Sequence, residues 1–324
     1  MCGRLETYLI SFAGLRVDKN RKSWSPLTHH CSPYKPVLLL SILDHIASGQ
    51  ITTNFITPSF ELTETFLGYI AILPYTVRQA SMAYPFYHLE SSLFWELVPQ
   101  KGIKHRKGLA IRSMKKLRQL YLGAKIPEDL FMLMQMSQTR EQFRSVLIEK
   151  YFAREIQEKI REQSFLNCAS AQYSQSLLNT AEPSSIFFPE MIKPKNKEKI
   201  RGQGFRKAIV RLYTHRCALC GIKMLTAEGH TAIDAAHIRP WSESHDDHPT
   251  NGMALCKLCH WSFDEGLMSV DRQYRVLISP SVKQDPNLPG HMLTLSERPI
   301  FKPQESKFWP DLDNFKWHRR ERFR

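Results

Sequence analysis

The sequence lacks a long hydrophobic run. Its longest apolar stretch, from Pro36 to Leu43, ends at Asp44 and His45, whereas a membrane-spanning helix needs about 18 or more apolar residues in a row. The first residues also lack the apolar core of a signal peptide. We therefore expect a cytoplasmic protein that neither crosses nor binds a membrane.

Acidic residues are scarce as well. Asp and Glu number 31 against 45 Lys and Arg, which gives a formal net charge of +14. Residues 101–120 contain eight Lys or Arg and no acid, and residues 193–216 contain nine basic residues and a single acid, Glu198. Such an excess favours a polyanionic partner, with nucleic acid the first candidate and an acidic membrane surface the second, and of the two we expect nucleic acid. The basic segment 204–213 predicts an amphipathic helix, on which Arg206 and Lys207 are candidate phosphate contacts.

Apolar periodicity divides the chain into differing regions. Residues 32–49 predict a helix that is apolar on nearly all sides and therefore central to a core. Further helices are expected over 61–70, 127–136 and 139–152, and short strands over 84–89 and 94–98. Beyond Ala153 the chain becomes rich in Ser and Gln, which predicts a short helix running into a linker. A chain of 324 residues accommodates about two domains.

The seven cysteines are an odd number, and without a secretory signal we do not expect disulfides. Four of them form two Cys-x-x-Cys pairs, Cys217 with Cys220 and Cys256 with Cys259, separated by 35 residues. Two such turns can place four thiolates tetrahedrally around one structural Zn²⁺. Free buried thiols or a redox dithiol are the alternatives, but neither accounts for two matched pairs.

The insert between the cysteine pairs contains chemistry of its own. A predicted strand over 231–238 ends near His237, and a predicted helix over 256–265 contains His260. Asn251 lies fourteen residues after His237 and nine before His260. If zinc holds the two cysteine pairs together, the strand, the loop and the helix can bring His237, Asn251 and His260 close to one another. The alternative is a zinc-bound DNA-binding module whose histidines only pack, although neither histidine is needed to complete a four-cysteine site.

From Arg216 to Val270 the pattern Cys-x-x-Cys, Asp-Ala-Ala-His-Ile-x-Pro, Asn-Gly-x-x-Leu-Cys-x-x-Cys-His and Phe-Asp-x-Gly resembles the HNH endonucleases, which have the ββα-metal fold. The resemblance implies His237 as general base, Asn251 as the residue that holds the loop bearing it, and His260 as ligand of a catalytic Mg²⁺ or Mn²⁺. Many members place an acidic ligand directly before the base, where this sequence has Ala236. Asp234 is then a candidate ligand, and Asp264 a candidate orienting partner for His260.

In the first half, Ser-Pro-Tyr-Lys-Pro-Val-Leu-Leu-Leu from Ser32 and Tyr-Pro-Phe-Tyr-His-Leu from Tyr84 are similar to motifs of McrA-like modification-dependent restriction endonucleases. In that family these motifs build a sulfur-binding pocket for phosphorothioate DNA. The resemblance places Tyr34 and Lys35 at the His and basic positions, and Tyr84 and Pro85 in the apolar wall. Sulfur is larger and less hydrated than oxygen, so an apolar recess beside a cation favours it.

Together these patterns predict an α+β protein with two domains. Residues 1–155 would form a DNA-recognition domain, 156–195 a helix and linker, and 196–324 a zinc-containing HNH nuclease domain with a basic C-terminal tail. The expected function is restriction of modified double-stranded DNA, with phosphorothioate as one candidate modification and a homodimer as one candidate assembly. A non-catalytic DNA-binding regulator and an RNA-directed nuclease are the alternatives.

Overall fold

The computed structural model describes residues 2–73, 80–179, 194–284 and 290–324. Their contacts form two compact units, Met1–Cys168 with Ala227–His230, and Ala169–Thr226 with Thr231–Arg324. The fold is α+β, as the sequence predicts. None of the helices in the described ranges combines the length and the apolarity required to cross a bilayer.

The first unit is mainly helical and contains one small sheet. Its helices are α1 (Cys2–Ala13), α2 (Tyr34–Ala47), α3 (Phe60–Ala71), α4 (Ala83–His88), α5 (Met114–Leu120), α6 (Glu128–Gln135) and α7 (Ser137–Tyr151). Its strands are β1 (Phe55–Ile56), β2 (Glu96–Pro99) and β3 (Tyr121–Lys125). β3 lies between β1 and β2 and pairs antiparallel with both.

Helix α2 forms the centre of this unit. Every residue from Lys35 to Ile46 is buried, which confirms the central helix expected from its continuous apolar pattern. The helix packs against α3, α4 and α7. Because α2 is covered on all sides, its few polar residues must find partners inside the protein.

Asp44 is a carboxylate with only 1% of its surface exposed, so its burial is costly unless its oxygens accept hydrogen bonds. Its Oδ1 accepts hydrogen bonds from Arg144 Nη1 and Ser164 Oγ, both at 2.6 Å. Its Oδ2 accepts from Tyr69 Oη at 2.6 Å and from Asn167 Nδ2 at 2.9 Å. This set of hydrogen bonds compensates the burial of a carboxylate and ties helices α2, α3 and α7 to the next helix.

The prediction of a strand over 84–89 is wrong, because these residues form α4 and the turn after it. Pro85 lies in the first turn of α4, where its missing N–H costs no helical hydrogen bond. Ala83, Phe86 and Tyr87 are buried, which is the spacing of one helical face rather than of a strand. The strand expected over 94–98 corresponds to β2.

The expectation of a short helix and a linker after Ala153 is also wrong over its first part. Residues Arg154–Asn179 form one continuous helix of 26 residues, α8. Its polar residues suggested a linker, yet Ser164, Asn167 and Ser170 are buried. They serve internal hydrogen bonds rather than solvent contact, so polar composition was misleading here. The rest of the predicted linker, residues 180–193, lies outside the described residues.

The second unit contains the end of α8, helix α9 (Pro194–Leu212), two hairpins and several shorter helices. Strands β4 (Ile233–His237) and β5 (Gly252–Cys256) form an antiparallel hairpin, connected through the short helix α10 (Trp241–Ser244) and followed by helix α11 (Lys257–Asp264). A second hairpin, β6 (Met268–Val270) and β7 (Val276–Ile278), precedes helices α12 (Pro280–Lys283), α13 (Gly290–Leu293) and α14 (Leu312–Glu321). The order β4, β5, α11 is a ββα arrangement.

Candidate active site

The four predicted zinc ligands lie together. The sulfur atoms of Cys217, Cys220, Cys256 and Cys259, hereafter the cysteine cage, are all within 4.8 Å of one another. Sγ of Cys220 and Sγ of Cys256 are 3.7 Å apart, and tetrahedral Zn–S bonds of about 2.3 Å require S···S distances of about 3.8 Å. The hydrogen bond with Cys220 lowers the pKa of Cys217, which favours the thiolate that zinc requires. The geometry and the donor type both fit a structural zinc ion.

The cage holds the elements of the ββα arrangement in place. Cys256 ends β5 and directly precedes α11, while Cys217 and Cys220 lie on a turn whose Ala218 N–H donates to the Ala254 carbonyl of β5 at 2.7 Å. Helix α11 packs against both strands of the hairpin. His260, one residue after Cys259, therefore lies in the same helical turn as a residue of the cage.

His237 ends β4, paired with Gly252 of β5. A side chain at residue 252 would meet Ile209 Cδ1 at 2.5 Å and Phe205 Cζ at 2.8 Å. The glycine thus allows α9 to lie against the hairpin. As a result, the Phe205 ring stacks on the His237 imidazole, with centroids 3.9 Å apart and planes 5° from parallel.

The imidazole of His237 also has a carboxylate partner. Its Nε2 lies 2.8 Å from Oδ1 of Asp247, and only 3% of the Asp247 side chain is exposed. An ionised carboxylate can only accept, so the Nε2–H group of His237 donates this bond. In the parts of the chain that the structure describes, no group hydrogen-bonds Nδ1 of His237, whose ring remains 19% exposed.

Asn251 is completely buried. Its Oδ1 accepts a hydrogen bond from the Arg239 N–H at 2.9 Å, and its Nδ2 donates to the carbonyls of Arg239 and Asp246, each at 3.0 Å. Both ends of the amide are therefore used to hold the loop that follows His237. The sequence resemblance implies this same loop-holding role.

The remaining candidates of this unit lie on α11, β4 and α9. Nε2 of His260 is 3.4 Å from Oδ2 of Asp264, one helical turn later, and desolvation raises the pKa of Asp264. Asp234 is half-exposed and pairs with Arg206 Nε at 3.1 Å. Lys207 Nζ donates to Ser170 Oγ at 3.0 Å. Across the described ranges, the cysteine cage is the sole group of three or more Cys, His, Asp or Glu at metal-binding distances.

The first unit contains a cavity of about 650 Å³, and Tyr34, Lys35 and Tyr84 all line it. Trp24 meets Tyr34 edge-on at a centroid distance of 5.3 Å, and Tyr84 packs on His88 at 4.3 Å. Three of the predicted residues are thus brought to one recess. Pro85 is buried in α4 and is not part of the lining.

The charge of this cavity is mainly positive. Arg16, Lys35 and Arg112 line it together with one acid, Asp18. Lys35 is 7% exposed, and its Nζ donates to Ser91 Oγ at 2.9 Å. Burial and the nearby Arg16 lower the pKa of Lys35 to about 8. Burial also lowers the pKa of His88 and raises that of Tyr34.

Comparison with known proteins supports the ββα site. Residues 217–271 match the HNH endonuclease family, and they contain the cysteine cage, His237, Asn251 and His260. Residues 217–271 are an HNH endonuclease domain. The chain is also similar to a solved structure described as a modification-dependent TagI restriction endonuclease, at 24% identity and a TM-score of 0.29. That similarity covers 36% of each chain, and no curated protein matches the sequence.

The sequence interpretation missed Asp247, which lies inside the HNH domain, and its partners outside it. Tyr173 Oη donates to Asp247 Oδ2 at 2.7 Å, and Arg201 Nη1 donates to Oδ1 at 3.0 Å. Tyr173 belongs to α8 and Arg201 to α9, so both precede the matched residues. Spacing within the HNH motif gives no signal for contacts that come from such distant segments.

Proposed function

We propose that this chain is a DNA endonuclease that hydrolyses phosphodiester bonds with His237 as general base. The proposal rests on how the contacts of the His237 ring leave one of its nitrogens available as a base. Its Nε2–H is bound to a buried carboxylate and its face to Phe205, while Nδ1 keeps its lone pair. Neutral imidazole can accept a proton from water near neutral pH.

The other HNH residues have supporting roles in this proposal. Asn251 holds the loop after His237 in one conformation, since both ends of its amide bind backbone groups. His260 and Asp234 are the proposed ligands of a catalytic Mg²⁺ or Mn²⁺. Each has another partner in the structure, Asp234 with Arg206 and His260 with Asp264, which metal binding would have to replace. An ion held there would supply polarisation of the scissile phosphate and neutralise charge on the leaving 3′ oxygen.

Double-stranded DNA is the proposed substrate. The excess of basic residues supports a polyanion, and the basic stretch 101–118 supplies contacts to phosphates that do not depend on base sequence. Arg206 and Lys207 make internal contacts, to Asp234 and to Ser170. Their predicted phosphate contacts would therefore compete with these partners.

We further propose that the cavity of the first unit senses modified DNA, which would make the chain a restriction enzyme directed at foreign DNA. Aromatic walls and a nearly buried lysine favour an anion that is large and weakly hydrated. A phosphorothioate has these properties, and Tyr34, Lys35 and Tyr84 are its proposed contacts. Pro85 supports α4 from the core rather than touching the ligand.

The test is cleavage of matched phosphorothioate, methylated and plain duplexes with Mg²⁺ or Mn²⁺. His237→Ala should lower the cleavage rate by at least about 100-fold, while zinc content and DNA binding persist. His291→Ala, at an exposed histidine on α13 of the same unit, is the matched control and should cleave normally. DNA binding without cleavage, unchanged in His237→Ala and independent of divalent ions, would favour the DNA-binding regulator, whereas cleavage that survives in His237→Ala would refute His237 as the base. Faster cleavage of RNA at matched salt would favour the RNA-directed nuclease.

A further inference from the structure

A buried polar cluster behind His237 is not explained by the HNH motif. It consists of Asp247 and its two partners Tyr173 and Arg201. Asp247 is 5% exposed and Tyr173 6% exposed, and all three residues belong to the second compact unit. A buried carboxylate with this many partners costs free energy unless each lone pair is satisfied. Because the desolvation cost offsets much of the attraction, stability alone does not account for this cluster, and we expect a functional role.

Both oxygens of Asp247 accept hydrogen bonds. Oδ1 accepts from Nε2–H of His237 at 2.8 Å and from Nη1 of Arg201 at 3.0 Å. Oδ2 accepts from the Tyr173 hydroxyl at 2.7 Å and, at 3.3 Å, from the same Nη1 of Arg201. The Tyr173 hydroxyl stays protonated because burial and Asp247 raise its pKa far above the usual range. It therefore donates at any pH at which the protein works.

Arg201 supplies the opposite charge. Its guanidinium lies 3.9 Å from the centre of the Trp241 ring, a cation–π contact that holds it beside Asp247. The carboxylate thus meets a permanent cation as well as the histidine. Because Arg201 balances its charge, Asp247 can orient the imidazole without needing an imidazolium as its counter-ion.

We infer that Asp247 is a positioning residue, which selects the Nε2-protonated tautomer of His237 and so leaves the Nδ1 lone pair for the attacking water. Tyr173 of α8 and Arg201 of α9 hold Asp247 in turn, so two helices that precede the HNH domain fix the orientation of its base. The inference rests on the proposed function. A histidine whose other nitrogen is not fixed divides its population between tautomers, and one of these cannot accept the proton.

The decisive variant is Asp247→Leu, studied in the full-length chain. Leucine offers Nε2 of His237 no acceptor, so the tautomer is no longer selected, whereas an asparagine would keep its amide oxygen where Arg201 and His237 both donate. We expect kcat to fall by about 10²- to 10⁴-fold with KM for the duplex unchanged. Glu243→Gln removes the same charge from an exposed position four residues earlier and should leave kcat unchanged.

A second readout is direct. Long-range ¹H–¹⁵N spectra of protein labelled at its histidine rings report each tautomer, and His237→Ala identifies the signals of His237. The wild type should show Nε2–H, and Asp247→Leu should divide the population between the Nε2–H and Nδ1–H tautomers. The same tautomer in both proteins, or a kcat within threefold of wild type, would overturn the inference.

Folding failure and failure of the proposed function are separable. If Asp247→Leu does not fold, Tyr173→Phe takes its place. Loss of one hydrogen bond to Asp247 should then lower kcat by about three- to tenfold at constant KM, and an unchanged kcat overturns the inference. If His237→Ala itself remains active, the proposed function fails. If His237→Ala is inactive while Asp247→Leu is fully active, only the role of Asp247 fails.

Discussion

The buried lysine of the cavity makes DNA recognition dependent on pH in a definite direction. Lys35 has a pKa lowered to about 8 by burial and by Arg16. It is charged below that pH and neutral above it. A group with this pKa is about 90% charged at pH 7 and about 10% charged at pH 9. Affinity for an anion that needs the charged form should therefore fall by about tenfold between these values.

The other residues of the cavity simplify the experiment. Burial lowers the pKa of His88 below its ordinary value and raises that of Tyr34, so neither changes charge between pH 7 and 9. Arg16 and Arg112 remain cationic throughout. The titration in this window is thus expected to follow Lys35.

The assay is fluorescence anisotropy with labelled phosphorothioate and plain duplexes, in the His237→Ala background and at constant ionic strength. The preference for the modified duplex should fall about tenfold from pH 7 to pH 9 in the parent. Lys35→Arg should bind with little pH dependence, because arginine keeps its charge, and Lys35→Met should bind weakly at both values. If the parent and Lys35→Arg follow the same pH curve, the lysine does not contact the anion and the argument fails.

Three further substitutions test the architecture. Cys256→Ser should remove zinc from the protein and lower the thermal stability of the second unit, as judged by metal analysis and calorimetry, since structural zinc contributes folding free energy. Asp44→Ala should reduce the free energy of unfolding in urea by about 3–5 kcal/mol, because the buried Arg144 would lose its buried counter-ion and keep only the exposed Glu141. Gly252→Ala should slow cleavage more than it weakens DNA binding, because the methyl group meets Phe205 and displaces the ring that covers the base.

Local patterns made the zinc site and the central helix predictable. Two Cys-x-x-Cys turns specify a metal site by spacing alone, and the cage has the geometry expected. The continuous apolar run of α2 likewise specifies burial on every side. In both cases the information lies within a few neighbouring residues.

The features that the sequence did not predict depend mainly on contacts between residues far apart in the chain. Asp247 stands in a polar, turn-rich loop that resembles solvent-exposed sequence, yet its partners lie 74 and 46 residues away. The polar residues of α8 suggested a linker because nothing in their neighbourhood reveals Asp44 as their partner. The segment 84–89 was predicted as a strand because its aromatic content outweighed its helical spacing.

The position of His260 has a practical consequence for biochemistry. It directly follows Cys259 at the start of α11, so the same turn of helix serves the structural site and the proposed catalytic one. A chelator that strips the cysteines would rotate or release the imidazole as well, and activity would vanish whichever metal was lost. Inhibition of cleavage by EDTA would therefore be ambiguous for this protein unless zinc is quantified alongside turnover, and rescue by added Mn²⁺ would be informative only while the sulfur-bound ion stays in place.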